Sequence, residues 1–83
     1  MKRIGLISDT HSYLDPKVAG HFADCDEIWH AGDFGSYEVA TELKKIKPLR
    51  GVYGNIDGQD IRSEFPECLQ FEIESIRVMM FHI

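Results

Sequence analysis

R-I-G-L-I-S-D-T-H, residues 3–11, begins with a short run that is apolar on both faces and stops at Ser8, Asp9 and Thr10. A half-exposed strand alternates polar with apolar residues, whereas a run apolar throughout reads as a strand buried between two layers, as in parallel sheets. A polar loop follows. Asp15 and Pro16 then make an N-cap and first-turn pair, and Val18, Ala19, Phe22 and Ala23 recur at helical spacing, so a helix is expected over 16–24. Residues 27–30, with Ile28 and Trp29 at the centre, read as a second short strand, ending in the glycine-flanked loop A-G-D-F-G at 31–35. Ser36 can cap a helix carrying Val39, Ala40, Leu43 and Ile46, which Pro48 brings to an end. Residues 48–53 supply a third strand, and G-N-I-D-G at 54–58 a turn-rich loop. Strands joined in this way by helices run parallel with right-handed crossovers, so the class is α/β. Beyond them, 59–68 is polar and contains Pro66, and 69–83 alternates into two strands turning near Glu74 and Ser75.

Composition narrows the function classes. The 83 residues suffice for one domain at most, and a fold of that size hides only about 60 to 65% of the surface its unfolded chain exposes, so the core is thin. A hydrophobic content of 43% with 28% charged residues excludes disordered, collagen-like and fibrous chains. The apolar run at 4–7 is too short for a signal-peptide core, and no stretch approaches transmembrane length, so no membrane partner is expected. Cys25 and Cys68 lie far apart without a C-x-x-C pattern, which suits reduced thiols and a cytoplasmic protein. A formal charge of −5 argues against nucleic acid as a partner. Lys44, Lys45 and Lys47 fall near the end of a helix with Glu38 and Glu42 nearer its start, the pattern of a solvated helix face. The final M-M-F-H-I at 79–83 is an apolar strand without a polar tail, and the natural protein is expected to continue beyond it.

The chemistry gathers at strand ends. Asp9 with His11, then Asp33, then Asn55 each fall in the loop after an expected parallel strand, and parallel strands bring all such loops to one edge of the sheet. Two carboxylates, an imidazole and an amide form an oxygen and nitrogen donor set suited to manganese, iron, zinc or nickel rather than calcium. Gly32, Gly35, Gly54 and Gly58 allow the tight turns a bound ion or phosphate requires. His82 adds a further imidazole if its strand joins the same sheet. Taken singly, Asp9 or Asp33 reads as a cap or turn residue, Asn55 as a turn former and His82 as a core residue; their combination in order reverses those readings. Asp57 reads as a turn residue or as a partner orienting a ligand histidine, and His30 as a supporting or core residue. His21 is assigned to a helix surface, and Phe22, Trp29, Phe71 and Phe81 to core packing.

D-T-H at 9–11, G-D at 32–33 and G-N-x-D at 54–57, in that order and at near-equal spacing, resemble the calcineurin-like metallophosphoesterases. Within that superfamily the chain looks like the small bacterial phosphodiesterase branch, which has G-N-C-D where this chain has G-N-I-D. The resemblance implies the αββα fold, a β-sandwich flanked by helices, with residues 1–83 as the N-terminal part of a single domain whose final G-H-x-H motif follows later. It implies two divalent metal ions, manganese foremost and iron, zinc or nickel as alternatives. Asp9 and His11 would hold the first, Asp33 would bridge both, and Asn55 and His82 would hold the second. A metal-bridging hydroxide would then attack a phosphate ester, with Asp33 and Asn55 as the catalytic pair and Asn55 also touching a phosphate oxygen. Many relatives have a histidine that assists the leaving group where this chain has Ile56, so diesters with good leaving groups fit better than monoesters. The implied partners are a small phosphorylated substrate and, with the final strand exposed, a second copy of the chain. The alternative is a non-catalytic protein-interaction module on the same fold, and a third reading is a piece inert by itself.

Overall fold

A strand apolar on both faces needs a layer on each side, but in the computed structural model, which describes residues 2–82, the first strand is covered on one face, where Gly5 meets Phe22, and leaves Leu6 67% exposed on the other. Among these residues the order is β1 (Ile4–Ile7), α1 (Val18–His21), β2 (Glu27–His30), α2 (Tyr37–Ile46), β3 (Leu49–Gly51), α3 (Gln59–Glu64), β4 (Cys68–Ile73) and β5 (Ile76–Phe81). Strands β1, β2 and β3 form a parallel sheet in that order, with Leu6 opposite Trp29 and Trp29 opposite Arg50. Strands β4 and β5 form a separate antiparallel hairpin whose turn residues, Glu74 and Ser75, both take positive φ (48° and 68°). Two left-handed residues in a two-residue loop match the right-handed twist of the flanking strands. The expected mixed α/β architecture of sheets flanked by helices is the one observed. Ile83, the expected end of the last strand, lies outside the described residues.

One face of the parallel sheet carries the helices. Ile28 packs with Phe34, Val39, Ala40 and Leu43, and with Ile61 and Phe65 from α3 and its exit. Lys44 of α2 reaches Glu64 of α3, and Tyr37 donates its hydroxyl to the same carboxylate, so at least one lysine of the solvated-looking cluster ties two helices together. The hairpin covers the other face over β2 and β3. The Phe71 ring meets Trp29 edge-on at 4.9 Å, and the Arg50 guanidinium lies 4.3 Å from its centroid. Glu27 anchors this layer by accepting bonds from Arg50 Nε (2.8 Å), Trp29 Nε1 (3.0 Å) and Lys2 Nζ (3.3 Å). The Arg50 bond above all pulls its carboxyl down to about 2.

Several local expectations shift. The helix expected over 16–24 shrinks to Val18–His21, because none of its residues is buried and Gly20 sits inside it. Asp15 does not cap it from the expected position; its Oδ1 instead accepts Lys17 N at 2.9 Å in a local turn. The third strand is three residues long because its partner ends at His30: Gly51 is the last register position, and Tyr53 N turns away to Pro66 O. Residues 59–68, read only as polar with Pro66, contain α3, signalled by Ile61 and Phe65 at i, i+4 spacing, both buried. Ser36 does stand at the N-cap of α2 in extended conformation, but its side chain makes no capping bond. Phe81, assigned to the core, is 52% exposed because it faces away from the parallel sheet.

Candidate metal centre

Loops that follow neighbouring parallel strands run side by side, and here they are joined bond by bond. Asp9 N donates to Gly32 O (2.9 Å), His11 N to Asp33 O (3.1 Å) and Ser12 N to Phe34 O (2.8 Å). To make these bonds the chain takes left-handed conformations at Asp9 (φ 54°), His11 (49°), Ser12 (69°) and Asp33 (63°). Each such residue costs on the order of 1 kcal/mol unless its neighbours hold it there, and Asp and His tolerate the region better than most. The glycines serve close approach. A Cβ at Gly35 would run into Ser12 N, and a Cβ at Gly54 into the Asp33 carboxylate.

These turns aim side chains at one point. One donor atom from each of Asp9, Asp33 and His82 lies within 4.8 Å of the others. His82 Nε2 is 3.2 Å from Asp33 Oδ2, and His11 Nε2 is 3.7 Å from both Asp33 Oδ2 and Asp9 Oδ1. Asp33 Oδ1 accepts Ile56 N at 3.1 Å, which leaves Oδ2 between the two histidines. Asp33 is buried while Asp9 and His11 are exposed, so the cluster opens to solvent on one side. A hydrogen bond with Ser8 holds the Asp9 carboxyl below its ordinary range, so it is ionised at neutral pH.

His82 arrives by a different route from the expected one, because β5 pairs with β4 and not with the parallel sheet. One residue past β5, its Nδ1 lies 2.9 Å from Ala31 O. A carbonyl can only accept, so Nδ1 carries the proton and Nε2 is the ring atom turned towards Asp33. A lone pair facing a carboxylate oxygen at 3.2 Å is repulsive unless a cation or a second proton lies between them. The donor set therefore fits a divalent cation. Gly32 makes this approach possible, since a Cβ there would sit 2.7 Å from His82 Nδ1.

Asn55 is exposed, and it lies between two residues that touch Asp33: Gly54, whose backbone packs on the carboxylate, and Ile56, whose N–H bonds it. Arg62 tethers this loop, with Nε donating to Asp57 O (2.6 Å) and Nη2 lying 3.4 Å from Asn55 O. Nothing in the residue pattern of 59–68 pointed to that role. Asp57 closes the turn on Gly54, its N–H donating to Gly54 O (3.3 Å), and serves no histidine ligand directly. Its carboxylate orients backbone amides rather than a histidine: Oδ2 accepts Asp33 N (3.0 Å) and Gly54 N (2.8 Å), and Oδ1 accepts Gly35 N (2.9 Å). A buried acid beside N–H groups is better satisfied by them than by an imidazole, since three backbone donors would otherwise be orphaned.

His30 is fully buried, stacked on Phe34 with ring centroids 3.7 Å apart, and joined to Gly32 N (3.0 Å) and Thr10 Oγ1 (3.1 Å). Burial pushes its imidazole down to about 4. In the unfolded chain it titrates near the ordinary 6.5, so stability is full above that value and falls as pH drops from 6.5 to 4. The loss over that window is expected to reach about 3 kcal/mol. Urea midpoints measured from pH 7 to pH 4 check it: the wild type should fall more steeply than His30→Asn, and parallel curves would contradict the assignment.

The whole chain, residues 1–83, matches the calcineurin-like phosphoesterase superfamily domain. It is 42% identical over 84 residues to a probable metallophosphoesterase of Methanothermobacter thermautotrophicus, an alignment covering 95% of this chain and 48% of the relative. A probable metallophosphoesterase of Methanocaldococcus jannaschii is 33% identical, with 95% and 42% covered, so the chain spans less than half the length of each. Among solved structures, a Streptococcus pneumoniae protein described as a predicted phosphoesterase superposes with a TM-score of 0.67 at 23% identity, covering 98% of this chain and 45% of that one. Vps29 of Chaetomium thermophilum gives 0.77 at 20% identity (95% and 45% covered). Vps29 of Entamoeba histolytica complexed with zinc gives 0.75 at 17% (95% and 47% covered). At these identities the likeness to the solved structures concerns the fold.

Proposed function

This chain belongs to the calcineurin-like phosphoesterase superfamily, and on that premise we propose that it carries part of the metal centre of a cytoplasmic phosphodiesterase acting on a small phosphorylated substrate. The observation that carries the reading is the convergence of Asp9, Asp33 and His82 within 4.8 Å, with His11 3.7 Å from both carboxylates. In this reading Asp9 and His11 hold one divalent cation, Asn55 and His82 a second, and Asp33 both. Manganese is the proposed ion; iron, zinc and nickel accept the same donors. When bound, the ions supply a water of lowered pKa and positive charge against the phosphate oxygens. The protein's own contribution is placement: Ala31 O sets the His82 ring, Ile56 N sets the Asp33 carboxylate, and the Asn55 amide is available to a phosphate oxygen.

Ile56 favours diesters with good leaving groups. Its side chain offers no proton to a leaving oxygen, so substrates whose leaving group departs as a stable anion are favoured. The complete protein supplied with manganese is expected to hydrolyse bis-p-nitrophenyl phosphate at least tenfold faster than diphenyl phosphate, whose leaving phenolate is the more basic, on the order of one missing general acid. EDTA should abolish the activity and manganese restore it. Equal rates on the two substrates would retire the argument from Ile56; activity indifferent to EDTA would retire the metal-dependent reading.

A second reading, a protein-interaction module on the same fold, is favoured by Leu6, Met79 and Phe81, which are 67%, 59% and 52% exposed. Apolar surface of this kind marks contact sites, including one with a second copy of the chain. Metal-dependent turnover by the complete protein decides between the two.

A further inference from the structure

We propose that Thr10 and His30 act as a positioning pair for the metal centre, fixing the spacing between the loop that bears Asp9 and His11 and the loop that bears Asp33, so that metal affinity depends on a threonine hydroxyl placed outside the ligand set. The inference rests on the metal-centre reading above and names residues that reading leaves without a role.

The argument starts from hydrogen-bond direction. Gly32 N lies 3.0 Å from His30 Nδ1 and can only donate, so Nδ1 accepts. Thr10 Oγ1 lies 2.9 Å from Phe34 O, which can only accept, so the hydroxyl donates there. The remaining bond, 3.1 Å between His30 Nε2 and Thr10 Oγ1, must then run from the ring N–H to the hydroxyl oxygen. The chain Gly32 N–H to His30 to Thr10 to Phe34 C=O is thus directional and closed at both ends. It begins and ends within 31–35, the loop that holds Asp33, and passes through the residue between Asp9 and His11.

Geometry gives the chain something to hold. The three backbone bonds between the loops come from Asp9, His11 and Ser12. Thr10 reaches the Asp33 loop through its side chain, while its carbonyl accepts Tyr13 N (3.0 Å) within its own loop. Asp9, His11 and Asp33 stand in left-handed conformations that relax unless their neighbours hold them. Without the Thr10 hydroxyl, the buried His30 N–H and the Phe34 carbonyl lose their shared partner, and the two loops lose their side-chain cross-brace. Valine matches threonine in shape and lacks the hydroxyl; serine keeps the hydroxyl and lacks the methyl.

The test is calorimetric titration of the complete protein, free of substrate, with manganese and then zinc. Thr10→Val is expected to bind about tenfold more weakly than wild type, the scale on which groups supporting ligands act, and Thr10→Ser within about twofold. Equal affinities for Thr10→Val and Thr10→Ser overturn the proposal, even if Thr10→Val melts at a lower temperature when metal-free, because that pattern is a structural role only. Nitrogen-15 NMR of the metal-free wild type reads the chain directly and does not depend on either variant folding: His30 should carry its proton on Nε2, and a proton on Nδ1 overturns the proposal. Wild type that binds neither ion brings down the metal-centre reading itself, a result distinct from unequal variants of a protein that does bind.

Discussion

Replacing Asp33 by asparagine in the complete protein is expected to lower kcat/KM for bis-p-nitrophenyl phosphate by more than about a hundredfold, because loss of a ligand should exceed the effect of residues that merely support one. Asparagine is the informative substitution. It can keep an oxygen for Ile56 N, which the Asp33 carboxylate now accepts at 3.1 Å. It also tolerates the left-handed backbone at φ 63°, where alanine would add strain of its own. What it removes is the negative charge between His11 and His82. Circular dichroism and a urea melt should therefore match wild type closely while manganese binding and turnover both fall. Retained turnover in Asp33→Asn would exclude Asp33 from the metal centre, and Asp33→Ala, inactive for either reason, could not make that distinction.

Replacing Asp57 by alanine should be the most damaging change to stability near the site. Its carboxylate accepts the N–H groups of Asp33, Gly35 and Gly54, and the residue is 3% exposed. An orphaned buried donor costs about 1 to 3 kcal/mol, and water entering the vacated space recovers part of it, so a loss of about 3 to 5 kcal/mol is expected. Against a typical total of about 5 to 15 kcal/mol, that is a large share. Asp57→Asn keeps one oxygen but turns an NH2 group towards one of the three donors, and should lose about half as much. Urea unfolding at pH 7 measures both. An Asp57→Ala variant as stable as wild type would mean that these amides find other partners.

The parallel sheet was legible in the sequence because its strands are apolar runs and its candidate ligands fall at their ends. Asp9, His11 and Asp33 were placed by that logic. Asn55 came with them: it is exposed, and its neighbours Gly54 and Ile56 touch Asp33. What could not be read was carried by backbone groups, which leave no mark in composition. Asp57, read as a turn residue or as the partner of a ligand histidine, serves three amides; His82 was expected through sheet pairing and comes through the Ala31 carbonyl. The short helix α3 was missed because only Ile61 and Phe65 mark its buried side. The helix around Val18 was overestimated because its periodic residues meet too little core to hold a second turn.

The bond between His82 and Ala31 has a consequence for folding as well as for chemistry. It joins residues 51 apart in the chain and ties the end of the hairpin to the central strand. Closing a loop of that length is an entropic burden that grows with its logarithm, and few other polar contacts share it at this end of the hairpin. An ion held jointly by Asp33 and His82 would act as a removable cross-link across the same gap, stabilising the native chain by about 2.7 kcal/mol at a hundred times its dissociation constant. Metal supply would then govern how often the hairpin lifts from the sheet, so that the centre of catalysis is also the latch of the fold.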